Sequence, residues 1–341
     1  MLENPTIVIA TGGELIALAG ATGMVIGDLW VVPSAASQPL LTRLRLSLWR
    51  LLGLYTLVFA VCAAMELLMR TASMSELPLR QAYTELGTVL FKTHYGELWL
   101  WRAAAVLGLG IIWLIQWRRN AHRLLPAGAL ATLIVIVITL SASGHAGDEG
   151  VLSLPNFTNS LHILGALMWG GGIIAYALLI LPALTRGPVP NHALVAESSL
   201  RLSTLAGIAL ALTVVPGLYN AWALVGGWHE AWTTLYGQVL MAKSLLVGAM
   251  IALGAVHRYR YVPSLQLRAA RPLPPSLIPI PRFLRAIENP AIPRSFLRSL
   301  RVEALLLLGV LSLAAALSQQ VPAAHAQQRG MPSPHHAESP R

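Results

Sequence analysis

Three histidines, His94, His145 and His162, and two methionines, Met65 and Met69, have the chemistry to hold a soft or borderline metal ion. Neutral imidazole is the commonest protein ligand for metals and suits copper, and thioether sulfur suits Cu(I). Met65 and Met69 stand one helical turn apart, on one face of a helix. Each has an ordinary alternative: a histidine at a helix end can serve as an interfacial hydrogen-bonding group, and a methionine in an apolar run can simply pack. What favours a site is that the three histidines fall at one depth when the apolar runs are laid side by side. A second set, Glu14, Glu66, Arg102 and Lys243, carries charge inside apolar runs. Such charges are costly in lipid, face a bundle interior, and pair. Two acids and two bases at similar depth allow Glu14 or Glu66 to pair with Arg102 or Lys243. As pairs they would fix helix register; as a hydrated seam they would carry protons or shield a passing cation.

Other chemistries find little support. Cys62 is the single cysteine, which excludes an internal disulfide and any CxxC site. Gly170, Gly171 and Gly172 are not followed by Lys-Ser/Thr and read as close helix packing, as do Gly23 and Gly27. No nucleotide motif is present, so no ATPase and no enzyme activity is expected.

The elements that must position these residues are membrane spans. The chain has 341 residues, 55% hydrophobic and only 11% charged, against about 25% charged in soluble domains. Its mean hydropathy is +0.63. Eight runs are long enough to cross about 30 Å of hydrocarbon: Thr6 to Val32, Leu46 to Met69, Tyr95 to Trp117, Leu124 to Ser143, Ser160 to Pro182, Leu200 to Val225, Tyr236 to Tyr261 and Val302 to Val321. The first lacks a basic flank and reads as a retained helix. Residues 76–92 are amphipathic and suit the lipid interface. The expected fold is therefore all-α, a polytopic helix bundle in the bilayer. Its divisions are residues 1–140 (the first four helices), residues 141–321 (the last four, with a Pro/Arg-rich loop at 263–300) and a disordered tail at 322–341. That tail carries His325, Met331, His335 and His336.

Net charge is +10, and its placement gives orientation. Arg43 and Arg45, Arg118, Arg119 and Arg123, Arg186, and the run from Arg258 to Arg298 fall in alternate loops. The opposite side has Asp148, Glu149 and Glu230; Arg70, Arg80 and Lys92 are its exceptions. Both termini are thus expected outside, in the periplasm. His94, His145, His162 and the buried charges then lie toward the outer face. His122 and His257 lie inside, the latter near Asp28 and Glu303.

The fifth run, Ser160-Leu-His-Ile-Leu-Gly-Ala-Leu-Met-Trp-Gly-Gly-Gly172, resembles a helix of the copper resistance protein D (CopD) family. So do Leu200-Arg-Leu-Ser203, Pro216-Gly-Leu-Tyr-Asn-Ala221, Tyr236-Gly-Gln-Val-Leu-Met-Ala-Lys243, His257-Arg258 and the Arg-Ser-Leu-Arg-Val-Glu303 start of the last run. His94-Tyr-Gly-Glu-Leu-Trp-Leu-Trp-Arg102 is similar to another helix start of that family. The resemblance implies a bacterial inner-membrane protein of copper resistance and homeostasis. It would accept a copper ion, Cu(I) or Cu(II), at an outer His/Met site and import it along the charged seam. A separate periplasmic CopC-like donor is the implied partner. Two rival readings are a factor that delivers copper to a membrane cuproenzyme and a haem electron-transfer protein. The latter needs paired histidines on facing helices.

Overall fold

The computed structural model describes residues 5–34, 39–119, 124–186, 191–225, 227–272, 274 and 292–320. His122, Arg123, Arg282, Arg285 and the tail with His325, Met331, His335 and His336 lie outside the described residues. Among the described residues eight helices are long and apolar enough to cross a membrane: α1 (Pro5–Val31), α2 (Pro39–Ser75), α3 (His94–Arg118), α4 (Leu125–Ala142), α5 (Leu154–Thr185), α6 (His192–Val225), α7 (Leu235–Arg268) and α8 (Ile292–Ser318). They alternate in direction. The start of α1 and the finish of α8 meet at one end, where Gln319 donates to Thr11 Oγ1 at 3.4 Å. That end, with His94 and His145, is called upper below; the opposite end is lower.

One helix corresponds to each apolar run of the sequence, and most of these helices are longer than the runs. Local caps explain several ends. Ser153 accepts from the Asn156 amide at 3.3 Å, and Pro155 follows in the first turn, so α5 starts one to two turns early. Asn191 Oδ1 caps α6 through the Leu194 amide at 3.0 Å. Thr93 and Thr234 cap α3 and α7 in the same way. At the lower end α7 continues to Arg268 and α8 begins at Ile292, so helix occupies both flanks of the segment expected to be a loop. Residues 76–92 form a turn, a 3-10 turn at Ala82–Glu85 and a short helix at Leu86–Lys92.

Three helices change pitch at the lower end. α1, α5 and α7 each contain a π turn, at Gly27–Val31, Tyr176–Ile180 and His257–Tyr261. In each, a proline stands two residues past the turn: Pro33, Pro182 and Pro263. Proline has no N–H to return to the carbonyl four residues back. The ladder shifts instead, and the amides of Val32, Leu181 and Val262 bond the carbonyls of Gly27, Tyr176 and His257, five residues back. Such turns often mark functional sites.

α1 and α5 form the centre, with 67% of each apolar window buried, whereas α7 is peripheral with 6%. Small residues let the central helices touch. A Cβ on Gly23 would stand 2.0 Å from the Gly171 carbonyl oxygen, and one on Gly171 would stand 2.3 Å from the Ala19 oxygen. Around the rim, large apolar side chains such as Leu57, Leu107 and Leu245 are exposed, as a lipid-solvated surface requires.

Candidate functional site

An upper-end cleft of about 490 Å³ opens between the end of α2, the start of α3, the turn after α4 and the end of α8. Its lining includes Arg70, His94, Tyr95, Ser143, His145 and Gln319. His94 is the first residue of α3, and His145 opens the 3-10 turn His145–Gly147. That turn is held tight because Gly147 lies against the Ala142 backbone, where a Cβ would stand 2.0 Å from the carbonyl oxygen. Each histidine has an acid one turn on. His94 Nδ1 is 3.7 Å from Glu97 Oε2, and His145 Nδ1 is 4.0 Å from Asp148 Oδ2. A carboxylate beside one ring nitrogen orients the imidazole and strengthens the other nitrogen as a ligand.

Beneath the cleft runs a chain of buried charge. Arg70, in the cleft wall, donates its Nε–H to Glu66 Oε1 at 3.3 Å and lies over the Tyr95 ring at 5.6 Å. Arg102 Nη1 is 3.9 Å from Glu66 Oε2. Its Nη2 donates to Ser143 Oγ at 2.6 Å and to the Thr139 carbonyl at 3.1 Å. Ser143 is itself in the cleft wall, so Arg102 ties the cleft to Glu66. Glu14 of α1 comes next. Its carboxyl is fully buried, with Glu66, Arg102 and Arg70 in electrostatic range. Neither Glu14 oxygen receives a hydrogen bond from a described donor.

The residues singled out from sequence therefore divide. His94 and His145 share the cleft. Glu14, Glu66 and Arg102 come together below it. His162 does not line the cleft: its Nδ1 meets the Thr213 carbonyl of α6 at 2.7 Å, and its ring packs on Gly217. Lys243 lies near His162, and among the described residues no ion pair joins it to an acid. The reason is helix order: α7, which carries Lys243, packs at the rim, while α1, α2 and α3 bring the acids to Arg102. Met65 is 45% exposed on the outside of α2, Met69 is buried, and neither lines the cleft. Among the described residues no group of three or more His, Cys, Asp or Glu side chains is placed to hold a metal ion. Sequence reasoning missed Arg70, Tyr95, Ser143 and Gln319. Arg70 had a usable signal, its i+4 spacing from Glu66; the others are placed by tertiary packing.

The lower end has its own polar cluster, built on the three π turns. Asp28 accepts from Arg45 and from Trp49 Nε1, both at 2.8 Å. Tyr176 bonds Ser199 at 2.6 Å. His257 Nδ1 is 3.0 Å from the buried Glu303, and its Nε2 is 2.8 Å from Ser299 Oγ. Between Glu14 and Asp28, α1 presents almost entirely apolar or small residues over about 21 Å of rise.

Residues 196–317 match the family described as copper resistance protein D, and residues 1–154 match the N-terminal domain of copper resistance protein D-like proteins. The chain belongs to the copper resistance protein D family. It is 28% identical over 187 residues to the inner membrane protein YebZ of Escherichia coli, covering 54% of this chain and 61% of that one. It is 29% identical over 170 residues to the copper transport protein CutJ of Bacillus subtilis, covering 49% of this chain and 31% of that one. The chain thus spans about three-fifths of one relative and about a third of the other. No solved structure matches it. The eight apolar helices and the family together make it a multi-pass inner-membrane protein.

Proposed function

We propose that this member of the copper resistance protein D family is a copper transporter, and that copper is its cargo. Copper would be received in the upper cleft at His94 and His145, then pass toward the bilayer centre along Arg70, Glu66, Arg102 and Glu14. The observation that carries this reading is the continuity of cleft and charge chain: Arg70 and Ser143 belong to both. Two imidazoles with carboxylates behind them suit copper in either oxidation state. The buried acids would lower the electrostatic cost of a cation below the cleft. The basic lower end suits the cytoplasmic face and the upper end the periplasm, so copper received in the cleft would be imported. A CopC-like periplasmic protein would be the donor to the cleft.

The seam stops at Glu14. Below it Gly23 and Gly171 close the bundle backbone to backbone. In this reading that contact would keep the path shut below the cleft, as alternating access requires of one of its states. The three proline-linked π turns on α1, α5 and α7 are the places where those helices can bend to open the lower end.

The test is copper uptake by proteoliposomes. Purified protein should load vesicles with copper well above empty vesicles, and a variant with His94→Ala and His145→Ala should not. Uptake equal to that of empty vesicles overturns transport.

A further inference from the structure

At the lower end an arginine that no described acid engages stands at the mouth of an apolar groove. The groove, of about 520 Å³, lies on α6 from Thr204 to Leu212, with Arg258 of α7 beside it. Those eight residues rise about 12 Å, from the start of the apolar part of α6 toward the bilayer centre. Gly207 forms the floor: a Cβ there would meet only Arg258 Nη1, at 3.9 Å. Thr204, Ile208 and Ala211 are exposed on the same helix face, the one turned to lipid. Arg258 stands in the π turn His257–Tyr261. Its neighbour His257 turns to Glu303 of α8. Arg258 turns the other way and donates Nη1 to the Ser203 carbonyl and hydroxyl of α6, each at 3.1 Å. Its Nε and Nη2 donate to no described residue. The acids of this end are engaged elsewhere: Asp28 by Arg45, Glu303 by His257, and Glu197 by Arg201 at 2.6 Å and Arg271 at 3.3 Å. Arg201 lies one turn below Thr204 on the same face of α6, so the mouth of the groove carries an excess of positive charge. Trp30, 46% exposed, exchanges hydrogen bonds with Arg201 at this level, as an indole does at a membrane–water interface.

We propose that this groove binds an anionic phospholipid, with the phosphodiester on Arg258 and one acyl chain laid along Gly207 toward Leu212. A guanidinium presents its N–H groups as a fork that matches phosphate oxygens, and the bonds to Ser203 hold that fork at the lipid interface. Basic pockets between helices at such an interface take anionic headgroups. A free phosphate would use the arginine and leave the apolar floor bare. A zwitterionic lipid would use the floor and bring its own cation to an already positive mouth. A lipid with net negative charge, such as phosphatidylglycerol, satisfies both. α7 is the rim helix, with 6% of its apolar window buried, so a lipid bridging Arg258 and α6 holds it in place at its π turn. The site does not depend on what the chain transports.

The experiment is native mass spectrometry of the full chain, stripped of lipid in detergent and titrated with phosphatidylglycerol or phosphatidylethanolamine. The wild type should retain one phosphatidylglycerol per chain and hold it several-fold more tightly than phosphatidylethanolamine. Arg258→Ala should weaken that retention about fivefold, the effect of one arginine near an anionic headgroup. Gly207→Leu, which fills the groove and leaves every charge in place, should weaken it as well, and it carries the test if Arg258→Ala does not fold. Arg43→Ala, which removes an exposed arginine of α2 at the same end, should leave retention unchanged. Equal retention of the two lipids, or retention unchanged in Gly207→Leu, overturns the site. A loss in Arg43→Ala equal to that in Arg258→Ala would mean diffuse charge attraction and overturns it too. Displacement of the lipid by inorganic phosphate would make Arg258 a phosphate site and refute the lipid. A dimer that retains no phosphatidylglycerol and that Gly207→Leu splits would put a second copy of the chain in the groove, against the proposal.

Discussion

Gly23 of α1 and Gly171 of α5 meet backbone to backbone, so close that a methyl group on Gly23 would sit 2.0 Å from the Gly171 carbonyl oxygen. In lipid, small residues are how central helices gain contact, because apolar burial offers no advantage over acyl chains. Neither helix can yield cheaply, since the obstacle is main chain. Gly23→Ala should therefore cost at least about 1–3 kcal/mol, the usual range for overpacking. A lower melting temperature by fluorescence-detected size exclusion is the readout. Gly110→Ala, with open space around its Cβ, should leave the melt unchanged.

Arg102 carries the load on the upper side. It is 1% exposed and bonds Ser143 and Thr139 while facing Glu66. Removing one partner of a buried pair strands the other, which costs about 3–5 kcal/mol. Arg102→Ala should lose folded yield, and Arg102→Ala with Glu66→Gln should recover part of it. No recovery in the double variant would show that Arg102 acts through Ser143 and Thr139 alone.

The sequence shows the eight helices because hydrophobic length is a local property that needs no knowledge of neighbours. It does not show where α2, α6 and α8 begin, since those turns emerge from hydrocarbon and become polar. Glu14, Glu66 and Arg102 stand out because a charge inside an apolar run is anomalous in any packing. Their partners do not, because pairing depends on which helices are adjacent, and α7 with Lys243 packs at the rim. His162 shows the same limit: its depth is readable, but its turn toward Thr213 is a matter of rotamer and neighbour. The π turns had a signal that went unused, a proline two residues past each of Val31, Ile180 and Tyr261.

His257 and Glu303 join α7 to α8 at the lower end, with Nδ1 and Oε2 3.0 Å apart and Glu303 1% exposed. Directly interacting buried residues couple by about 0.5–3 kcal/mol. A double-mutant cycle of His257→Gln and Glu303→Gln, read by thermal unfolding, should give a coupling in that range. Additive effects would mean that Ser299, 2.8 Å from Nε2, holds the histidine without the acid.

The histidines allow the sharpest separation of one site from another. His94 and His145 share a cleft, whereas His162 lies outside it and spends Nδ1 on the Thr213 carbonyl. Copper affinity should therefore fall in a His94→Ala and His145→Ala variant and stay near wild type in His162→Ala. The acids behind the cleft histidines should matter too: Glu97→Gln with Asp148→Asn should weaken copper about tenfold, in keeping with the effect of removing outer-shell partners. Titration with a competing Cu(I) chelator measures all three. Should His162→Ala alone abolish binding, the metal site would lie between α5, α6 and α7, and the cleft with its seam would need another cargo.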